Sequence, residues 1–156
     1  MFEINIPGRG SYRIDNLVFD VNGTIAVDGN LIGEVAARMA DLSSMFDVYV
    51  ITAGTHGRLT DIESRLGIKA RKIDPSKEAE QKQDFVEKLG KESTISIGNG
   101  ANDTLMLGDA AIGIAVIGQE GASVKAILAA DIVVNNISDA LNLLLKPKRL
   151  IATLRK

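Results

Sequence analysis

The chain has 156 residues, 46% apolar and 24% charged, with a formal net charge of -2, no cysteine and one histidine, His56. That is the size of one folded unit around a single core. It excludes disulfides, thiolate chemistry and multi-histidine metal sites, and it gives no electrostatic case for nucleic acid. The first residues, MFEINIPGRG, lack the basic and apolar blocks of a signal peptide, and no apolar run reaches a membrane span. The expected setting is therefore the cytoplasm, with no membrane and no nucleic-acid partner.

Ile4 and Ile6, then Tyr12 and Ile14, alternate with polar neighbours around Pro7-Gly8-Arg9-Gly10. This pattern predicts an N-terminal β-hairpin over residues 1–16, read as a flap over a sheet edge. Leu17-Val18-Phe19 is a buried-strand run that ends on the carboxylate of Asp20, and Asn22, Gly23 and Thr24 then suit a tight turn. Asp28-Gly29 between short apolar runs predicts a second hairpin just beyond Asp20, where it would overhang a site. Val35, Met39, Leu42 and Met45 recur at helical spacing and read as core. Val48 to Ile51 is a strand running into Thr52-Ala53-Gly54-Thr55. Leu59, Ile62 and Leu66 mark a helix closed by Gly67. A short strand spans Ile68 to Ile73, and Asp74-Pro75-Ser76 starts a helix that Gly90 closes. Thr94 to Ile97 is a strand entering Gly98-Asn99-Gly100-Ala101-Asn102-Asp103, followed by a short helix. Ile112 to Ile117 reads as a strand broken by Gly113, and a helix over Val124 to Leu128 and a strand at Ile132 to Val134 follow. Ser138 is the expected cap of a last helix that Pro147 ends, and 148–156 is a basic amphipathic tail expected to be helical, with the cluster of Lys146, Lys148, Arg149, Arg155 and Lys156 read as a solvated face.

Strands alternating with helices predict a parallel sheet with crossover helices in one unit, residues 1–156. In such a sheet the polar clusters after Phe19, Ile51 and Ile97 lie on one edge and converge, and α/β folds bind ligands at that edge. Gly98-x-Gly100 before a helix turns backbone N–H groups toward an anion, but neither a dinucleotide fingerprint nor a Walker A loop is complete.

Taken together these stretches resemble the haloacid dehalogenase-like (HAD) superfamily, and within it the phosphorylation domain of P-type ATPases. Asp20-Val21-Asn22-Gly23-Thr24 matches the first motif, Asp-x-x-Gly-Thr. The strand ending at Thr52-Ala53-Gly54 matches the second. Lys82, followed by Phe85-Val86, matches the motif lysine, with Lys77 as runner-up. Gly98-Asn99-Gly100-Ala101-Asn102-Asp103 matches Gly-Asp-Gly-x-Asn-Asp. The resemblance covers about Leu17 to Asp131.

It implies a Rossmann-like three-layer αβα sandwich with a mainly parallel sheet. Thirty-residue spacings from Asn22 to Thr52 and from Thr52 to Lys82 leave no room for an inserted cap, so a capless core with only a hairpin flap is expected. The implied chemistry is a Mg²⁺-dependent phosphohydrolase. Asp20, Asn22, Thr52 and Lys82 are the catalytic set, and Gly23, Thr24, Ala53, Gly54 and Asn102 line the substrate. Asp20, the Asn22 carbonyl, Asn99 and Asp103 are the metal ligands. Asn22 stands where many family phosphatases have a proton-exchanging Asp, and an amide exchanges no proton near neutrality. General acid–base help is typically worth roughly 10²–10⁴-fold, so substrates with good leaving groups are expected: ATP, acyl or aryl phosphates. Asn99 stands where the family has a metal-binding Asp. The loss of a unit charge removes about 4 kcal/mol of Coulomb attraction at 4 Å with a dielectric near 20. Weak Mg²⁺ binding follows. A phosphorylated small molecule, ATP or a phosphoprotein is the expected substrate, and an open site suits a homo-oligomer, dimer or tetramer. A catalytically weakened phosphate- or nucleotide-binding module, and a slowly turning phosphoryl-accepting switch, are the alternatives. His56 reads as solvated or capping.

Overall fold

A computed structural model describes residues 2–54 and 58–156. The expected hairpin forms from β1 (Phe2–Ile6) and β2 (Gly10–Ile14), paired antiparallel as a separate two-stranded sheet. The chain then enters β3 (Asn16–Asp20), all five residues of which are buried. A miniature hairpin, β4 (Ala26–Val27) and β5 (Asn30–Leu31), turns through Asp28 and Gly29, both with positive φ as a tight two-residue turn requires. Helix α1 (Val35–Ser43) leads to β6 (Asp47–Thr52), and α2 (Leu59–Leu66), closed by left-handed Gly67, leads to β7 (Arg71–Lys72). Helix α3 (Glu78–Leu89) precedes β8 (Thr94–Gly98). A 3₁₀ turn (Ala101–Asp103) and α4 (Thr104–Asp109) precede β9 (Ile112–Val116). Helix α5 (Val124–Ala129), β10 (Ile132–Val134), α6 (Ile137–Leu145) and α7 (Pro147–Leu154) complete the chain.

Six strands form the main sheet in the order β10-β9-β8-β3-β6-β7, with every pairing parallel. This is a Rossmann-like α/β sheet. From β3 the chain first winds outward through β6 and β7, then returns to β8 on the other side and winds the opposite way. The reversal lies between β3 and β8, so the crevice beyond their carboxyl ends is the topological switch point. Asp20 ends one of those strands and Gly98 the other.

Side-chain alternation along β3 sets what reaches Asp20. Leu17 and Phe19 belong to the large core with Val35, Met39 and Leu42 of α1 and Leu141 of α6. Val18 packs on the opposite face with Ile51, Val86 of α3 and Met106 of α4. Because successive residues of a strand alternate faces, Asp20 shares the Val18 face, the one α3 covers. Each fully buried Leu, Val or Phe here contributes about 1.5–3 kcal/mol, so the frame around Asp20 is stiff.

Several expectations need correction. The N-terminal hairpin pairs with neither edge strand. Arg9 reaches Asp131 ahead of β10 at 3.0 Å, and the Phe2 ring packs tilted against Phe46 ahead of β6 with centroids 5.2 Å apart, so the hairpin crosses the amino-terminal ends of the strands. Its Ile4, Ile6 and Ile14 are buried core. The basic tail is not a wholly solvated face. Helix α6 does end at Leu145, just before Pro147, and the tail is helical as expected, but Pro147 also starts α7, which buries Leu150 and Leu154 and packs on β1. Asn136, not Ser138, caps α6, accepting the Asp139 amide at 2.9 Å. Strand β9 runs unbroken through Gly113. Met39 is core, whereas Met45 is 37% exposed. No helix among the described residues is long and apolar enough to cross a membrane.

Candidate active site

At the switch point Asp20 is buried, and its two oxygens are differently held. Oδ1 accepts from Lys82 Nζ at 2.8 Å, and Oδ2 accepts from the Thr24 hydroxyl at 3.2 Å. Lys82 is only 1% exposed and also donates to Asp103 Oδ1 at 2.7 Å. An ammonium has three N–H bonds, so one remains without a partner among the described residues. Lys77, the other lysine considered, sits exposed ahead of α3 with φ 53°. It is Lys82 that the α3 face brings to Asp20.

The electrostatics follow from burial. Removal from water raises the Asp20 pKa and the nearby Asp103 charge raises it further; Lys82 and the Thr24 hydrogen bond pull it down only in part. The group is pushed up to about 7. For Lys82, burial works against the charge, but the fields of Asp20 and Asp103 outweigh it and its pKa is raised. The lysine is therefore fixed as a cation, while the carboxyl beside it sits near its midpoint at neutral pH.

The residues after β8 form a compact loop around Asp103. Its Oδ2 accepts the backbone N–H groups of Asn99 at 3.0 Å and Gly100 at 2.9 Å. Gly98 is required for this approach, since a Cβ there would lie 2.5 Å from the Asp103 carboxylate. Asn99 Oδ1 accepts from the Thr24 hydroxyl at 3.1 Å, and its Nδ2 donates to the Gly121 carbonyl at 3.1 Å. Gly23 is forced by the same contact, because a Cβ there would lie 2.4 Å from Asn99 Nδ2. Thr52 is buried, and its hydroxyl accepts the Gly54 N–H at 3.0 Å.

A cleft of about 350 Å³ opens above this network, lined by Asp20, Asn22, Thr52, Ala53, Gly54, Glu78, Lys82, Asn99, Gly100, Asn102 and Glu120. Three distant turns thus meet at one opening, as the strand-end argument requires. Thr24 is completely buried and outside the lining, where its hydroxyl joins Asp20 to Asn99. Asp103 is also completely buried and outside the lining. One of its oxygens accepts from Lys82 and the other from two backbone amides, so it ties the lysine to the loop. Gly23 likewise lies behind the lining, against Asn99. Thr55 and His56 lie outside the described residues.

Sequence reasoning missed Glu78 and Glu120 as cleft residues. Glu78 precedes Lys82 by four residues on α3, which places it on the same helix face; its Oε2 accepts from Asn102 Nδ2 at 2.7 Å. Glu120 follows β9, and the position of a parallel strand's carboxyl end was the available signal. The β4–β5 hairpin contributes nothing to the lining. It leans toward the start of α2, where Arg58 donates to Asn30.

The donors present fit a hard divalent ion only in an open form. Among the described residues no three His, Cys, Asp or Glu side chains converge, so there is no all-protein cage. One carboxylate plus amide and carbonyl oxygens beside a phosphate is what Mg²⁺ accepts. The Thr24 hydroxyl supports this fit. It has one proton but two acceptors, Asp20 Oδ2 and Asn99 Oδ1, so at any moment one of these oxygens lacks its donor.

No family model matches the chain. It is 55% identical over 75 residues to an uncharacterized protein of Methanocaldococcus jannaschii, covering 46% of this chain and 81% of that protein. It is 27% identical over 145 residues to a soluble P-type ATPase-like phosphatase of the same organism, covering 91% of this chain. The chain spans about half, 53%, of that phosphatase's length. Among solved structures, the cobalt-bound deoxy-D-mannose-octulosonate 8-phosphate phosphatase of Haemophilus influenzae superposes with a TM-score of 0.70 at 16% identity, over 92% of this chain and 94% of the other. The 3-deoxy-D-manno-octulosonate 8-phosphate phosphatase of Moraxella catarrhalis, solved with magnesium, phosphate and a KDO molecule, gives 0.69 at 17%, over 91% and 94%. At such identities the shared property is the fold.

Proposed function

We propose that the chain is a HAD-like, Mg²⁺-dependent phosphohydrolase acting through Asp20 on substrates with good leaving groups, a reading that its similarity to the soluble P-type ATPase-like phosphatase supports. The observation that carries this reading is a buried carboxylate paired at 2.8 Å with a buried lysine, facing a cleft at the switch point of the sheet.

In the reading, a phosphoryl group sits against Lys82, Thr52 and the backbone of Ala53 and Gly54. The Asp20 carboxylate attacks phosphorus, and the bond to the leaving oxygen breaks with its electron pair. An aryl, acyl or diphosphate oxyanion departs without a proton, which suits Asn22, since an amide supplies none. Water then attacks the aspartyl phosphate, releasing inorganic phosphate and restoring Asp20. The third N–H of Lys82 is the donor left for a phosphoryl oxygen. Asp20, the Asn22 carbonyl and Asn99 would hold Mg²⁺, which supplies charge neutralisation to the phosphate. Asp103 and Thr24 act behind these groups as positioning residues, and Asn102 stands at the substrate rim with Glu78. The whole chain is read as one capless unit in the cytoplasm, with the cleft open to a phosphorylated small molecule, ATP or a phosphoprotein, or covered by a second copy of the chain.

The test is phosphate release from p-nitrophenyl phosphate, acetyl phosphate, ATP and a sugar phosphate, with and without Mg²⁺, beside Asp20→Asn. Multiple turnover on the first three, lost in Asp20→Asn, is expected; turnover that survives Asp20→Asn overturns the reading. Asn22 also favours a second reading, a phosphoryl-accepting switch, because no side chain beside Asp20 activates the hydrolytic water. A stoichiometric, long-lived adduct on Asp20 selects it.

A further inference from the structure

We propose that Glu120, on the loop after β9, supplies a carboxylate to the divalent cation of this cleft and makes good the charge that neutral Asn99 withholds. This rests on the reading above that the cleft takes such a cation.

The cleft contains few free charges. Asp103 is committed to Lys82 and two backbone amides, and Glu78 accepts from Asn102. Asp20 is half spent on Lys82. Glu120 alone of the acidic residues lining the cleft has no hydrogen bond or ion pair among the described residues. A hard cation with amide and carbonyl donors gains most from one added carboxylate.

The loop is built to hold Glu120 there. Asn99 binds it twice, through Nδ2 to the Gly121 carbonyl at 3.1 Å and by accepting the Ser123 N–H at 2.8 Å on its own carbonyl. Gly118 donates to the Asn135 carbonyl at 3.0 Å and lies close against Gly23, where a Cβ would come within 3.4 Å of the Gly23 carbonyl oxygen. An aspartate at position 99 would have no N–H for Gly121. The amide that costs the site a charge is thus the group that anchors the loop carrying one back.

The experiment is metal binding by the intact protein without substrate. Mn²⁺ is titrated by its free-ion spin resonance signal and displaced with Mg²⁺, for the natural protein, Glu120→Gln, Glu120→Asp and Glu78→Gln. Glu120 is exposed, so its substitution leaves the core untouched. Glu120→Gln is expected to weaken binding roughly 10–100-fold, the range for residues that support a metal site. Glu78→Gln removes the same charge from the same cleft and is expected to cost several-fold less, and Glu120→Asp is expected to fall between. Equal losses in the two glutamine variants, no loss in Glu120→Gln, or no binding by the natural protein each overturn the proposal. Its fate is separable from that of the hydrolase. A protein that loses Mn²⁺ on Glu120→Gln yet releases no phosphate sustains this inference and sinks that one. Mg²⁺-dependent turnover with unchanged binding in Glu120→Gln does the reverse.

Discussion

Strand β3 begins on Asn16 and ends on Asp20, 6% and 7% exposed respectively. At the first end, the Asn16 amide donates to the Leu89 carbonyl at 3.3 Å, the Thr94 hydroxyl at 3.4 Å and the Ser93 hydroxyl at 3.5 Å. The group is neutral, and its donors are fully engaged. At the other end, a carboxylate, an ammonium and a second carboxylate are buried within 2.8 Å contacts. There a lysine N–H and one acceptor of the Thr24 hydroxyl are left over. A hollow of about 470 Å³ lies beside Asn16, larger than the cleft of about 350 Å³ beside Asp20. Size therefore does not separate a binding site from a structural knot. What separates them is buried charge with partners still to find: neutral polar groups that satisfy one another close a fold, and half-satisfied charges wait for a ligand.

The largest expected contrast is in activity. Asp20→Asn should reduce phosphate release to background, whereas Asn16→Ala, at the other end of the same strand, should keep turnover per folded molecule unchanged. Loss of turnover in folded Asn16→Ala would break the division between the two ends.

The next effect is on stability. Lys82→Met leaves two carboxylates buried without their cation, and breaking such a pair typically costs about 3–5 kcal/mol. Urea denaturation at pH 8 should show that loss. At pH 5 it should shrink, because the unpaired carboxyls take up protons. An equal cost at both pH values would mean that packing of the lysine stem, not charge, is what Lys82 contributes.

A related slope belongs to Asp20 itself. Its pKa rises from 3.8 to about 7 on folding, so the folded state binds the proton more tightly than the unfolded chain. The stability this brings is complete below pH 3.8, declines as the pH rises and is gone above about 7. Each tenfold change in proton affinity is worth about 1.4 kcal/mol, which bounds the effect at a few kcal/mol. Lys82, with its pKa raised, keeps its charge throughout this range. In EDTA, Asp20→Asn should gain on the natural protein between pH 5 and pH 8. A constant difference would remove Asp20 as the titrating group.

The difference between the two ends also shows what the sequence could disclose. Asp20 and Thr52 end strands and Asn99 follows one, and a parallel sheet must bring strand ends together, so their convergence was readable. Lys82 was readable through the resemblance, whose motif lysine is followed three and four positions on by two apolar residues, here Phe85 and Val86. The burial of Thr24 and Asp103 was not, since both sit in turns whose side-chain directions depend on Gly23 and Gly98 approaching Asn99 and Asp103. Glu120 belongs to a loop without periodicity, and its place is fixed by non-local hydrogen bonds, from Asn99 to Gly121, from Ser123 to Asn99 and from Gly118 to Asn135. The position of the N-terminal hairpin rests on non-local contacts, Arg9 with Asp131 and Phe2 with Phe46, which no local pattern announces.

The smallest expected effect is the stability cost at the neutral end. Asn16→Ala strips the amide from Leu89, Ser93 and Thr94, but the hydroxyls of Ser93 and Thr94 keep their bonds to the Gly90 carbonyl at 3.1 and 2.8 Å. The Leu89 carbonyl is the group that loses a donor, and leaving one buried acceptor unmet costs about 1–3 kcal/mol. No charge is involved, so urea midpoints should fall by the same amount at pH 5 and pH 8, and salt should not change the difference. That flat profile against the sloped one of Lys82→Met is the sharpest form of the contrast. A pH-dependent loss in Asn16→Ala would mean that Asp15 and Asp47, on the rim of the same hollow, take part in the network, and that the two ends differ in degree rather than in kind.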